Sequence, residues 1–415
     1  MKLRTRISSS TTVTALAAVG VLLLGACSSP ASGSWSNNAP GQTLPGGSGP
    51  SSAAGNVTLV PAANAKDVSP GDPVTVNTTG DVTVTSVTLT AGSATVAGDI
   101  ATDGHSWTST GALKYDTKYT LTVQTNGLSN NTTTSTFTTL KPTRTIRATF
   151  AANPFMILKD GGTYGVGEPI IINFSRSIPT SAREAVEKAL TVDATPAVEG
   201  RWHWMSNSSV HYRGENYWAA GSTITVHADL LGVKMGSGSY GASNQDITIH
   251  IGDSHVLIAD NKTHYMKVYV NGKMVRNIPV SMGMGGHTKA DDGHTVTYWT
   301  HNGPHVVMIK TPTHVMSSAS YGITDPKSPF FYPPETIKDT VRISNSGEFV
   351  HMADWNIPAQ GHSNTSHGCI NVGPANALWV YNLLTTGDVV DVVNSPEPLQ
   401  VWDGVGDWTI PWSKW

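Results

Sequence analysis

Cysteine is nearly absent. The 415 residues carry two, Cys27 and Cys369. Two thiols make at most one bridge, so a disulfide-stapled framework is excluded. Charge is scarce too: 13% of residues are Asp, Glu, Lys or Arg, and the net charge of -3 gives no electrostatic case for nucleic acid. The longest apolar run, Val13 to Leu24, is interrupted by Thr14 and small residues and falls short of the roughly 20 residues a spanning helix needs. Helix-favouring Glu, Lys and Leu are sparse, whereas Thr, Ser, Val, Gly and Asn abound, which favours strands and loops. The 15 histidines are scattered, so their number is no argument for a metal.

The N-terminus reads as an export signal. Lys2, Arg4 and Arg6 give a basic start, and Leu24-Gly25-Ala26-Cys27 ends the apolar run in small residues before a cysteine. That ending resembles a bacterial lipobox, in which Cys27 becomes the lipid-modified first residue of the mature protein. The competing reading is an ordinary cleaved signal with an incidental cysteine. Residues 28–56, rich in Ser, Gly, Pro and Ala, form an uncharged tether. Together they predict a protein anchored to the outer face of a plasma membrane, in the cell envelope, rather than spanning it.

Residues 57–141 alternate polar and apolar positions, as in Val82-Thr83-Val84-Thr85, between turns such as Pro70-Gly71-Asp72. This predicts an immunoglobulin-like β-sandwich. Residues 142–252 repeat the pattern: Gly71-Asp72-Pro73-Val74-Thr75-Val76 parallels Gly167-Glu168-Pro169-Ile170-Ile171-Ile172. The second copy inserts a short helix, with a capping box at Ser181-Ala182-Arg183-Glu184 and an apolar stripe of Ala185, Val186, Ala189 and Leu190. Its aromatics, Trp202, Trp204, Tyr212, Tyr217 and Trp218, read as core or seam rather than as a glycan platform. Neither sandwich carries a polar cluster suited to chemistry, so both read as spacers.

Residues 253–393 differ. Tyr265 to Val270, Asn271-Gly272 and Lys273 onward spell strand, turn, strand. Further strands are predicted at His305–Lys310, Phe349–Met352 and Asp388–Val393, with a helix from Pro374 to Leu384. Residues 394–415 form a tail containing Trp402, Trp408, Trp412 and Trp415, which is expected to pack back onto the body. The fold class is therefore mainly β: two sandwiches, a β-rich third domain with a short helix, and a Trp-rich tail.

The chemistry centres on Ser366-His367-Gly368-Cys369-Ile370-Asn371, preceded by Phe349-Val350-His351. A lone exported thiol beside glycine, with histidines nearby, is the pattern of a cysteine nucleophile. The spacing of His351 from this motif resembles the L,D-transpeptidase (YkuD) catalytic domain. The two preceding sandwiches and the tail Gly406-Asp407-Trp408-Thr409-Ile410-Pro411-Trp412 look like the large mycobacterial-type members. The resemblance implies Cys369 as nucleophile and His351 as base, with the Met352 carbonyl fixing the imidazole tautomer. It makes His367 a supporting histidine and gives the His367, Gly368 and Cys369 amides to an oxyanion. Asn371, Ser346, Gly347 and Ser366 match substrate-side positions, and Met316, Tyr321 and Tyr332 fall in the segment resembling a lid. No cofactor and no metal are implied. The implied partners are peptidoglycan stem peptides, a tetrapeptide donor and a diamino-acid acceptor, with carbapenem β-lactams as inhibitors and the membrane reached through the lipid. The implied product is a 3→3 cross-link formed through a Cys369 thioester.

One element departs from the family. Ser281-Met282-Gly283 is present, but a later Thr-Pro-x-Gly element is replaced by Ala290-Asp291-Asp292-Gly293. Hydrolysis of the same thioester, as an L,D-carboxypeptidase or cysteine endopeptidase, stays open, as does a non-catalytic wall-binding scaffold. A zinc site from His351, His362, His367 and Cys369 fits poorly, because a Cys two residues after a His is awkward for one tetrahedral ion. His362 reads as a solvated loop residue, and His287, His294, His301 and His305 as polar surface or cleft residues.

Overall fold

The computed structural model describes residues 55–128 and 131–415. The segment read as an export signal, the cysteine Cys27 expected to be lipidated and nearly all of the expected tether lie outside the described residues. No helix among the described residues is long and apolar enough to cross a membrane.

The chain is mainly β. In the first sandwich, two four-stranded sheets face each other. The strand Lys118–Asn126 alternates buried and open positions along its length, and its inner face joins Val76, Leu89, Trp107 and Phe137 in one core. This is the period-2 pattern of a sheet with one face on a core. In the second sandwich the apolar run Ile170–Phe174 is central to a five-stranded sheet, packed over a four-stranded one. Trp218 and Tyr212 are buried there, and Trp202, Trp204 and Tyr217 pack against the same core.

The inserted helix is real but capped differently from the sequence expectation. It runs Thr180–Lys188 behind Pro179, with no side-chain cap bond. Proline already favours a helix start, so Ser181 lies inside the first turn, and Glu184 pairs with Lys188 at 2.7 Å. Ala182 and Val186 form the buried stripe. Ala185 is exposed, and Leu190 already belongs to the following strand.

The third domain is built on a nine-stranded sheet. Its Asn271-Gly272 turn has positive φ at both residues, 49° and 76°, as a tight hairpin with right-handed twist requires. The expected strand at His305–Lys310 is two strands, Gly303–Val306 and Ile309–Met316, at opposite edges of the sheet. Val307 and Met308 carry the chain across. The helix Pro374–Leu383 starts on its proline and covers one face of the sheet.

The second sandwich and the third domain are sewn together. Gly165 N–H donates to the Thr386 carbonyl and Gly167 N–H to that of Gly387, both at 2.8 Å. A Cβ on Gly165 would sit 2.1 Å from the Asp388 nitrogen, so only glycine fits this approach. The tail does pack back. Trp408 Nε1 donates to Gly167 O at 2.7 Å and Trp415 Nε1 to Arg201 O at 2.9 Å. Buried Arg213 lies against the rings of Trp408, Trp412 and Trp415. Trp402 is the exception, 70% exposed. The contact between the two sandwiches is lighter: Tyr115 Oη donates to Gly241 O and accepts from Gly232 N–H.

Candidate active site

Phe349–Met352 and Ile370–Val372 pair in parallel, with His351 opposite Asn371. Side chains alternate along a strand, so this register sets His351, Asn371 and Cys369 on one face. The loop leading to Cys369 is fixed from several sides. Ser366 Oγ donates to Cys369 O at 2.6 Å and accepts from Gly368 N–H at 3.1 Å. Thr300 Oγ1 donates to Gly368 O at 2.7 Å and accepts from Gly283 N–H at 2.9 Å. Gly368 has φ 133°, which only glycine adopts readily. The Ser366 hydroxyl is thus committed to its own turn rather than open to a substrate. The Gly368 amide is likewise committed, which corrects the expectation that three successive amides face an oxyanion.

His351 is buried, and its Nδ1–H donates to the Met352 carbonyl at 2.8 Å. That tautomer leaves Nε2 as the basic nitrogen. Burial holds the imidazole down at about 4, against the opposing pull of the Met352 carbonyl. Burial pushes the Cys369 thiol up to about 12; the Phe349 amide and the Arg342 charge work against this rise, while the Glu348 charge adds to it. Both groups are therefore neutral at rest. The thiol donates to Gly347 O at 3.6 Å.

Two cavities meet at Cys369. One of about 530 Å³ is lined by Ser346, Gly347, Tyr321, Arg342 and Trp402. The other, of about 510 Å³, is lined by His351, Asn371, Ser366, Trp355 and Glu335. Met316, Tyr332, His367 and Cys369 border both. Asn371 Oδ1 is buried without a hydrogen-bond partner among the described residues. The His367 ring packs between Tyr332 at 5.2 Å and Tyr298 at 5.3 Å, and burial lowers its pKa. Burial also pushes Tyr332 up to about 12.

The departing segment Ala290–Gly293 is the turn of a small hairpin, His287–Lys289 with Thr295–Thr297. It braces the lid: Asp291 N–H donates to Gly322 O at 2.8 Å, and the Asp291 carboxylate accepts from Thr324 N–H at 2.9 Å and from the Thr324 hydroxyl.

Several residues around the site went unread in the sequence. Glu348 is buried and receives His301 Nδ1–H at 3.0 Å and His305 Nε2–H at 3.1 Å. Burial alone would raise this carboxyl, but the hydrogen bonds and charges of the two histidines hold it down at about 2. His305 is therefore a fully buried partner, not a surface residue. Asp403, from the tail, accepts from Ser346 N–H at 2.6 Å and from its hydroxyl at 2.7 Å. His362 is exposed. The four residues of the zinc reading do not form a ligand cluster among the described residues; the one grouping with metal-ligand spacing is His301, Glu348 and Asp403.

The bacterial Ig domain family matches residues 65–234, and the L,D-transpeptidase catalytic domain family (YkuD) matches residues 254–392. The chain is 38% identical over 322 residues to L,D-transpeptidase 2 of Mycobacterium tuberculosis, covering 77% of this chain and 74% of that protein. It is 36% identical over 367 residues to L,D-transpeptidase 5 of the same species, covering 86% and 76%. Among solved structures, L,D-transpeptidase 3 from Mycobacterium tuberculosis in complex with a faropenem-derived adduct is 28% identical, with a TM-score of 0.45, covering 59% of this chain and 97% of that one.

Proposed function

Because the chain belongs to the L,D-transpeptidase family, we propose that it forms 3→3 cross-links in peptidoglycan through a thioester on Cys369. The observation that carries this reading is one thiol shared by two cavities. A transferase needs room for two substrates at one atom, whereas hydrolysis needs one substrate and water.

In the first half-reaction the Cys369 sulfur attacks the carbonyl of the third stem residue, a diamino acid. The thiol proton passes to His351 Nε2 as the C–S bond forms. The carbonyl oxygen becomes an oxyanion facing the His367 and Cys369 amides. Collapse breaks the peptide bond, and the departing D-alanine nitrogen takes the proton from His351. In the second half-reaction the side-chain amine of another stem attacks the thioester and gives its proton to His351. The cysteine thiolate leaves and is reprotonated. The unpaired Asn371 Oδ1, in the cavity that also holds His351, suits an acceptor for that amine's N–H. A carbapenem acylates the same sulfur through opening of its strained lactam. We further infer that Cys27 carries a lipid that tethers the enzyme to the outer face of the plasma membrane.

The test is mass spectrometry of muropeptides after incubation with a disaccharide-tetrapeptide. A 3→3 linked dimer is expected. A tripeptide alone would assign hydrolysis instead, and no change with no trapped thioester would assign a binding scaffold.

A further inference from the structure

We propose that Phe155, on the second sandwich, is a positioning residue of the active site: its ring clamps the Arg342 guanidinium that shapes the loop carrying Ser346 and Gly347. The second sandwich is then part of the catalytic unit rather than a spacer.

The chain of contacts is continuous. Asn153 ends the strand Ala148–Asn153 and is 3% exposed. Its Nδ2–H donates across the seam to Met308 O at 2.8 Å, and its Oδ1 accepts from Phe155 N–H at 3.0 Å. Met308 N–H in turn donates to Arg342 O at 2.9 Å. The sandwich loop is thereby tied to the backbone of Arg342 before it covers the side chain. The guanidinium lies 4.8 Å from the Phe155 ring centre and 5.1 Å from that of Phe349. From this position Nε donates to Ser344 O at 2.9 Å and Nη2 to Asn345 O at 2.8 Å. Two residues further on, Gly347 takes φ 106° and its carbonyl accepts the Cys369 thiol.

Phe155 itself is 51% exposed and lies outside the core of its own sandwich. Stability of that sandwich therefore does not explain the residue, whereas a planar guanidinium fork on a flexible stem does. Two aromatic faces remove the side chain's rotational freedom and leave its donors aimed at two carbonyls. Arg342 also lines the cavity that opens on Cys369. A loosened guanidinium would therefore disturb both the loop and the positive charge that favours anionic sulfur.

This inference rests on Cys369 being the nucleophile. The experiment measures the rate of Cys369 acylation by a carbapenem against pH, by mass spectrometry on the exported chain. It compares wild type with Phe155→Ala, Phe155→Trp, Arg342→Ala and the Phe155→Ala/Arg342→Ala double variant. Phe155→Ala should slow acylation roughly ten-fold at every pH across the neutral range, as loss of a partly desolvated cation–π contact does, while the acid limb set by His351 stays in place. Phe155→Trp should restore the rate. In the Arg342→Ala background, Phe155→Ala should add nothing, because the two residues act as one unit. Wild-type behaviour of Phe155→Ala, additive losses in the double variant, or failure of Trp to restore the rate would overturn the proposal. So would a loss that merely tracks unfolding in a thermal melt under the assay conditions. An unacylated wild type, or Cys369→Ala acylated like wild type, would instead sink the nucleophile assignment.

Discussion

Replacing His351 by alanine tests whether the thiol is activated during attack or beforehand. The thiol stands at about 12 and the imidazole at about 4. Moving the proton from sulfur to nitrogen before attack spans about eight pH units, on the order of 10 kcal/mol before the two charges attract each other. A thiolate–imidazolium pair is therefore not the resting state. Proton transfer must accompany formation of the C–S bond, with His351 as general base. The wild-type acylation rate should be level across neutral pH and fall only as His351 becomes protonated, near pH 4. His351→Ala should lose roughly 10²–10⁴-fold at pH 7, the usual range for a removed general base. Its residual rate comes from thiolate alone, so it should rise about ten-fold per pH unit and still be rising at pH 10, because the thiol is half ionised only near 12. His367→Ala should be slowed without this steep recovery, since its ring packs the lid and takes no proton. The assay is carbapenem acylation followed by mass spectrometry at fixed reagent excess. A wild-type profile that falls away below a thiolate pKa near neutrality would refute the reasoning, as would a His351→Ala profile that levels off below pH 9.

Other perturbations probe separate parts of the molecule. Asp403→Ala removes both bonds to Ser346 and should lower kcat/KM for the tetrapeptide donor about 10–100-fold, mainly through KM, and cost about 1.5–3 kcal/mol of stability, since hydrogen bonds to a charged group are lost. Glu348 is held at about 2, below its unfolded value. Its contribution to stability is therefore complete above about pH 4.5 and is lost as pH falls toward 2, on the order of 3 kcal/mol in urea unfolding; Glu348→Gln should flatten that acid limb. Trp408→Ala deletes an indole bonded to Gly167 and edge-on to Tyr217; it should cost about 3–5 kcal/mol by chemical denaturation. Removing residues 55–141 should leave acylation by carbapenem within about two-fold of wild type, since Tyr115 provides the hydrogen bonds to the second sandwich. Cys27→Ala should move the full-length protein from the membrane to the soluble fraction in a salt-wash fractionation, because a buried acyl chain contributes about 0.8 kcal/mol per CH₂.

The sequence carried the strand Phe349–Met352 and the cysteine motif because both are local patterns. It could not carry the parallel register that sets His351 and Cys369 on one face, which is fixed by pairing across about twenty residues. Glu348 shows the limit most clearly. It sits unremarked between Gly347 and Phe349, and its histidine partners lie 47 and 43 residues earlier. A carboxylate immediately before the strand Phe349–Met352 was the available signal, since such a group is buried only when paired. The capping box failed because Pro179 supplied a competing start one residue before the helix. The strand expected at His305–Lys310 failed because apolar continuity does not reveal a change of sheet edge at Val307 and Met308. The spacer reading of the second sandwich did not foresee its seam with the third domain. That seam runs through residues such as Asn153 and Gly165, whose roles depend on what lies across it.

The Arg213 cluster bears on how the molecule responds to ionic strength. The guanidinium is 2% exposed and donates to the Gly214 and Ile410 carbonyls, with indole faces around it. Among the described residues, no carboxylate forms an ion pair with it. The neighbouring His211–Asp407 pair, at 2.6 Å, is desolvated as well. Mobile ions screen exposed charges over a Debye length but do not enter such a seam. Lys141–Asp116 and Lys188–Glu184, both in open solvent, weaken as salt rises. The joint that carries the catalytic domain does not, so its geometry is the same in dilute and in concentrated electrolyte.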